Sequence, residues 1–114
     1  MRVHADPAQL RQVLWNLIKN AVQFSPRGST VTVHVRRAEA TAIVEVVDRG
    51  PGIPEEDRAH LFELFYSKRR HGVGLGLALV KQIVDAHGGT VGVESTAEGS
   101  TFRVTLAEAG GDAR

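Results

Sequence analysis

Apolar residues recur at helical spacing early in the chain: Leu10, Val13, Leu14, Leu17, Ile18 and Ala21 share one face of a 3.6-residue period. Asp6 suits the N-cap and Pro7 the first helical position. The helix is predicted to run to about Phe24, because Ser25-Pro26-Arg27-Gly28 is turn chemistry. The period then changes to two. Val31, Val33 and Val35 alternate with Thr32, His34 and Arg36, the pattern of a half-buried strand. Thr41 to Asp48 reads as a second strand, apolar on both faces except at Glu45 and therefore central. A short break at Arg37 to Ala40 makes these two strands a hairpin.

Asp48-Arg49-Gly50-Pro51-Gly52-Ile53-Pro54 is a loop, and Pro54-Glu55-Glu56-Asp57 opens a short helix reaching about Leu64. Acidic residues in a first turn suit the helix dipole. Tyr66 to His71 is basic and shows no periodicity. Gly72-Val73-Gly74-Leu75-Gly76 leads into a helix to about His87, closed by Gly88-Gly89. Its expected core stripe is Leu75, Ala78, Leu79, Ile83 and Ala86, with Val80 and Val84 widening the apolar surface. Thr90 to Ser95 and Thr101 to Leu106 form a final hairpin across Ala97-Glu98-Gly99. The sequence has no internal repeat and no low-complexity segment.

A length of 114 residues fits one domain. With 42% hydrophobic and 24% charged residues, wholesale disorder is excluded. Lys+Arg 14 against Asp+Glu 13 excludes nucleic-acid or anionic-membrane binding driven by bulk charge. The absence of cysteine excludes disulfides, cysteine–zinc sites and thiol catalysis, and fits a cytoplasmic location. No signal peptide opens the chain, and no apolar run approaches the ~18 residues of a membrane span. Arg2-Val3-His4-Ala5 reads as the end of a strand, so the chain is expected to be a piece of a longer protein. The expected domain covers residues 1–106, with residues 107–114 a small, polar tail that frays.

Three features carry candidate chemistry. Asn16 and Asn20 sit at i, i+4 beside the apolar stripe of the first helix. Two carboxamides there either present oxygens to a hard cation or bond neighbouring backbone. Asp48 ends the central strand ahead of Gly50 and Gly52, as an acceptor for a flat ligand with an N–H to offer or as a plain turn aspartate. Gly72, Gly74 and Gly76 precede a helix start, where backbone N–H groups approach phosphates. The loop is not a Walker A loop, since no Gly-Lys-Ser/Thr follows, and no strand precedes it as a dinucleotide fingerprint requires.

In this order and spacing the features resemble the histidine-kinase catalytic domain, of the superfamily that also holds DNA gyrase B, Hsp90 and MutL. The N box is similar to Asn16-Leu17-Ile18-Lys19-Asn20-Ala21, and the G1 box to Asp48-Arg49-Gly50-Pro51-Gly52-Ile53. The F box is similar to Leu61-Phe62-Glu63-Leu64-Phe65-Tyr66, and the G2 box to Gly72-Val73-Gly74-Leu75-Gly76-Leu77. Gly99-Ser100-Thr101-Phe102 fits the last glycine box, so the resemblance covers about Asp6 to Leu106. It implies an α+β, Bergerat-type fold: a two-layer α/β sandwich whose mixed, largely antiparallel sheet is covered by helices on one face. Family domains begin with further elements before this first helix, so an open sheet edge or uncovered apolar surface is expected.

The resemblance also implies roles. Asp48 accepts the adenine amino hydrogen, helped through water by Ser100 or Thr101. Asn20 binds Mg²⁺, with Asn16 near the metal and phosphates. Gly50 and Gly52 shape the adenine wall, Ile53 closes it, and Phe24 stands where the family has an aromatic near the base. Gly72, Gly74, Leu75 and Gly76 cradle the phosphates of ATP, and Lys68 reaches them as a point charge. Gln23 departs from a common lysine, and the lid from Tyr66 to Gly72 is short and basic, expected to be mobile until phosphates order it. Hydrolytic members carry a glutamate base where Asn16 stands, and asparagine takes no proton at neutral pH.

No histidine here is followed by an acid, as a phosphoacceptor would be: Ala, Val, Leu, Gly and Gly follow His4, His34, His60, His71 and His87. These are read as surface or packing residues. The expected function is the ATP-binding catalytic domain of a two-component sensor histidine kinase, with Asn16 and Lys68 as catalytic candidates. Its partners would be a separate histidine-bearing dimerisation domain and, indirectly, a response regulator, without nucleic acid or direct membrane contact. The alternatives are an anti-sigma-factor-type serine kinase and a nucleotide-binding module without transfer. Trp15 lies off the apolar stripe beside Arg11 and Lys19, and is expected to be exposed here. It would pack on neighbouring elements or dock the dimerisation domain or a second subunit.

Overall fold

The computed structural model describes residues 3–58, 60–62 and 73–108; within these, the side chains of Phe24, Asp57, Val73 and Leu75 are outside the description. The chain runs α1 (Pro7–Phe24), β1 (Thr32–Ala38), β2 (Thr41–Asp48), α2 (Glu55–Arg58), α3 (Val73–Ala86), β3 (Thr90–Thr96) and β4 (Gly99–Ala107). It is an α+β sandwich of two layers. The strands form one sheet in the order β1-β2-β4-β3, antiparallel at every described pairing. Helix α1 lies over β2 and against α3, which packs towards β3, so both helices cover the same face.

Local chemistry sets the helix ends. The Asp6 carboxylate accepts the N–H groups of Ala8 and Gln9 at 2.9 and 3.2 Å, and Pro7 stands where no intrahelical donor is needed. Ser25 closes α1 by donating its N–H to Ala21 O. At the end of α3, Gly88 adopts φ 74°, and Gly88 and Gly89 donate to the carbonyls of Asp85 and Val84. That double bond pattern is a Schellman ending, which needs a left-handed residue and so favours glycine. His87 joins the two helices: its Nε2 accepts the Asp6 N–H at 3.2 Å, and its Nδ1 lies 2.8 Å from Ile83 O. The packing role expected of this histidine is therefore specific.

The core forms where period-two and period-3.6 faces meet. Val13, Leu17 and Ala21 of α1, Leu77, Val80 and Val84 of α3, Val46 of β2 and Phe102 and Val104 of β4 are all buried. Phe62 meets Phe102 edge-on at 6.2 Å between centroids, tying the segment after α2 to β4. On the opposite face of the sheet Glu45 sits between Arg36 and Arg103, and Arg103 also reaches Glu94. Among the described residues, no helix is long and apolar enough to cross a membrane.

Four differences from the sequence expectations have physical causes. Helix α3 begins at Val73, so Gly74 and Gly76 lie in its first turn and not in a preceding loop. Its buried stripe is Leu77, Val80, Ile83 and Val84, while Leu79 and Ala86 are exposed, because α1 and the sheet together select the covered face. Val33 and Val35 do point to the helix side, paired with Val46 and Val44, yet they are 44% and 63% exposed. Among the described residues the helices pack on β2 and β3 rather than on the edge strand β1, which leaves the uncovered apolar surface expected from the sequence. Finally, β4 continues through Ala107, and Glu108 bridges Val3 and pairs with Arg37 at 2.7 Å. Order thus persists two residues beyond the expected boundary.

Candidate functional site

Among the described residues four polar side chains are buried: Asn16, Asn20, Asp48 and Ser100. Asn16 and Asn20 are one turn apart on α1, and Asp48 ends β2 directly opposite Ser100 of β4. The strand register explains the last pairing. Residues 42, 44, 46 and 48 of β2 face the helices, and their partners on β4 are Leu106, Val104, Phe102 and Ser100. Thr101 pairs with Val47 and alternates to the other face, so of the two hydroxyl candidates only Ser100 stands beside Asp48.

Asp48 is 4% exposed, and its Oδ1 accepts the N–H of Gly50 at 2.9 Å and of Ser100 at 3.2 Å. Both donors go to one oxygen; among the described residues no donor meets Oδ2. The loop that follows is fixed at both ends. Arg49 donates its N–H to Ser25 Oγ at the end of α1, and Ile53 donates to Ser95 Oγ of β3 at 2.7 Å. Gly52 has φ 86°, and a Cβ there would overlap the Thr96 carbonyl oxygen, so only glycine fits.

The two asparagines differ. Asn16 Oδ1 accepts from Gln12 Nε2 at 3.0 Å, and its Nδ2 donates to Gly76 O at 3.3 Å. Both ends of that carboxamide are committed, and it links α1 to the first turn of α3. Asn20 is 4% exposed, and its Oδ1 is buried without a hydrogen-bond partner. An orphaned hard oxygen at the edge of an ordered site fits Mg²⁺, which keeps waters and shares phosphate oxygens rather than requiring an all-protein cage. Of the two metal candidates, Asn20 fits and Asn16 is occupied elsewhere.

The first turn of α3 supplies unpaired N–H groups, because the first four amides of a helix have no intrahelical acceptor. That turn contains Gly74 and Gly76 and no acidic residue, so the dipole favours an anion there. The Asn16–Gly76 bond places this helix start beside α1. Ile53 is half-buried and packs on the core beyond Asp48. Lys68 and Gly72 lie outside the described residues, as do the side chains of Phe24 and Leu75.

Three residues of this network were not legible as motif members: Gln12, Arg58 and Ser95. Gln12 stands one turn before Asn16. Arg58 donates to the Ser95 carbonyl at 3.0 Å. The signal for Ser95 was available: Val91 and Val93 alternate with it, so it is a polar residue on the core face of β3.

Comparison with known proteins follows the same outline. Residues 5–110 match the family described as histidine kinase-, DNA gyrase B-, and HSP90-like ATPase. The chain is 50% identical over 111 residues to the circadian input-output histidine kinase CikA of Synechococcus elongatus, covering 91% of this chain and 15% of that protein. It is 43% identical over 107 residues to the sensor protein DivL of Caulobacter vibrioides, covering 93% of this chain and 14% of that protein. Among solved structures, the mycobacterial sensor histidine kinase MprB superposes with a TM-score of 0.85 at 33% identity, over 93% of this chain and 76% of that one. Full-length ShkA in complex with AMPPNP superposes with a TM-score of 0.83 at 35% identity, over 94% of this chain and 23% of that one. The chain thus spans about a seventh of the length of these two curated relatives.

Proposed function

The chain belongs to the histidine kinase-, DNA gyrase B-, and HSP90-like ATPase family as a histidine-kinase ATP-binding catalytic domain, and from that premise we infer that it positions the γ-phosphoryl group of Mg-ATP for a histidine on a separate dimerisation domain. The observation that carries this reading is the asymmetric Asp48 carboxylate, one oxygen saturated by Gly50 and Ser100 and the other left to accept. An adenine amino group meets that acceptor, whereas a guanine carbonyl would oppose it with a second acceptor. Gly50, Gly52 and Ile53 form the wall beside the base. The first turn of α3 receives the phosphates, with Lys68 and Gly72 as further candidate contacts.

Asn20 would hold Mg²⁺ through Oδ1, where the ion neutralises charge on the phosphate oxygens. Asn16 orients the start of α3 against α1 and offers no base. At that position the chain places no group to activate water, and its work is positioning and charge stabilisation. The imidazole nitrogen of the partner histidine forms the new N–P bond as the bond from the γ-phosphorus to the β,γ-bridging oxygen breaks, and ADP leaves. A response regulator would take the phosphoryl group afterwards. ATP chemistry and a cysteine-free sequence support a cytoplasmic setting.

Phosphotransfer from γ-labelled ATP to the histidine-bearing hairpin of a relative tests the reading. Acid-labile label on the hairpin histidine is expected, with none on this chain alone. Acid-stable label on a serine-bearing partner would favour the anti-sigma-type alternative, and ATP binding without transfer to any histidine hairpin would leave a binding module.

A further inference from the structure

Ser95 joins four parts of the molecule. Its Oγ accepts the Ile53 N–H of the base-reading loop at 2.7 Å and lies 2.9 Å from Ser100 Oγ. A weaker contact of 3.4 Å runs from that Oγ to Gly99 O across the β3–β4 turn. Its carbonyl accepts from Arg58 of α2 at 3.0 Å. Ser100 in turn donates its N–H to Asp48 Oδ1. A hydroxyl has one proton and two lone pairs, so Ser95 can accept from Ile53 and still exchange a bond with Ser100. The loop from Asp48 to Ile53 is thereby held at its near end by the carboxylate and at its far end by this hydroxyl.

We propose that Ser95 is a positioning residue for adenine recognition, setting the Ile53 wall at a fixed distance from the Asp48 carboxylate. The proposal rests on the reading of Asp48 as the adenine acceptor. The packing leaves little freedom for another arrangement. A Cβ built on Gly52 would stand 3.2 Å from Ser95 Oγ and overlap the Thr96 carbonyl, so the loop already lies against the end of β3. Ser95 is half-buried and acts on the base through Ile53 and, by way of Ser100, through Asp48. Without the hydroxyl the Ile53 N–H loses its acceptor, and the loop relaxes away from the geometry the base requires.

Calorimetric titration with ATP and with GTP, on the unmutated chain, Ser95→Ala and Ser95→Thr, tests this. The unmutated chain should prefer ATP. Ser95→Ala should weaken ATP about tenfold, the scale of one lost hydrogen bond, and narrow the ATP-to-GTP preference by the same factor. Ser95→Thr, which keeps the hydroxyl, should recover it. An unmutated chain without ATP preference removes the reading of Asp48 and the proposal with it. Intact ATP preference in Ser95→Ala overturns the proposal alone. If Ser95→Ala does not fold, amide exchange of Ile53 in the unmutated chain decides. Slow exchange upholds the Ile53–Ser95 bond, and exchange at the rate of an unstructured peptide overturns it.

Discussion

Asn20→Leu should change stability and function in opposite directions. The Asn20 side chain is 4% exposed, and its Oδ1 has no partner. A buried acceptor left unsatisfied costs about 1–3 kcal/mol, whereas an apolar group of the same shape carries no such cost. Leucine matches asparagine in heavy-atom count and branching. The nitrogen is not orphaned, so the gain belongs at the low end, about 1 kcal/mol of folding stability. For a domain near this size that raises the unfolding midpoint by roughly 4–8 °C. The same substitution removes the Asn20 oxygen that fits a cation, so the increment that Mg²⁺ adds to ATP affinity should vanish while the adenosine contribution persists. Thermal unfolding without ligand, and calorimetric titration with ATP in the presence and absence of Mg²⁺, measure the two effects. A lowered midpoint together with an intact Mg²⁺ increment would show that Asn20 is a packing residue.

Three other substitutions probe separate parts of the structure. Gly52→Ala forces a Cβ into the Thr96 carbonyl at a φ of 86°; ATP affinity should fall at least tenfold while the core, measured by near-UV dichroism, stays intact, and unchanged affinity would contradict the loop geometry. The Glu45 carboxyl is held below the ordinary carboxylate range, chiefly by its hydrogen bond from Arg103, with Arg36 adding to it and burial opposing. A carboxylate depressed in the folded state contributes stability above its unfolded pKa, and loses it as pH falls through the folded value. Glu45→Gln should therefore flatten the acid side of the stability–pH curve without altering its slope above neutrality; parallel curves would refute the pairing. Trp15 is 58% exposed with Lys19 Nζ 6.0 Å from its ring, so Trp15→Ala should shift stability by no more than about 0.5 kcal/mol and leave ATP affinity unchanged. A larger loss would make it a core residue.

What the sequence revealed depended on whether the cause was local. The limits of α1 were legible because Asp6, Pro7 and Ser25-Pro26 set them within a turn. The central position of β2 was legible because its run is apolar except at Glu45, and β1 and β4 do flank it on either edge. The exposure of Val33 and Val35 was not written in their alternation, which fixes the face but not whether a helix reaches over it. The stripe of α3 rotated for a similar reason: an apolar run wide enough to bury either Leu79 or Leu77 leaves the choice to α1. Within the site, the N box and the Asp48 loop were legible as motifs. The different states of Asn16 and Asn20 came from Gln12 and Gly76, whose positions the motif does not encode. The choice of Ser100 over Thr101 followed from strand register; Ser95 was legible as a polar residue on the core face of β3, but its bond to Ile53 depends on the loop lying against that strand.

Titration of ATP into the unmutated chain and Asp48→Asn is the most direct test of the central claim. The amide keeps the shape of the side chain but replaces a charged acceptor held by two N–H groups. Hydrogen bonds to charged groups contribute about 1.5–3 kcal/mol, so ATP affinity should fall roughly 10- to 150-fold. GTP should bind the unmutated chain weakly and gain nothing comparable to what ATP loses. Equal affinity of Asp48→Asn and the unmutated chain for ATP would contradict the assignment of Asp48 as the residue that reads adenine.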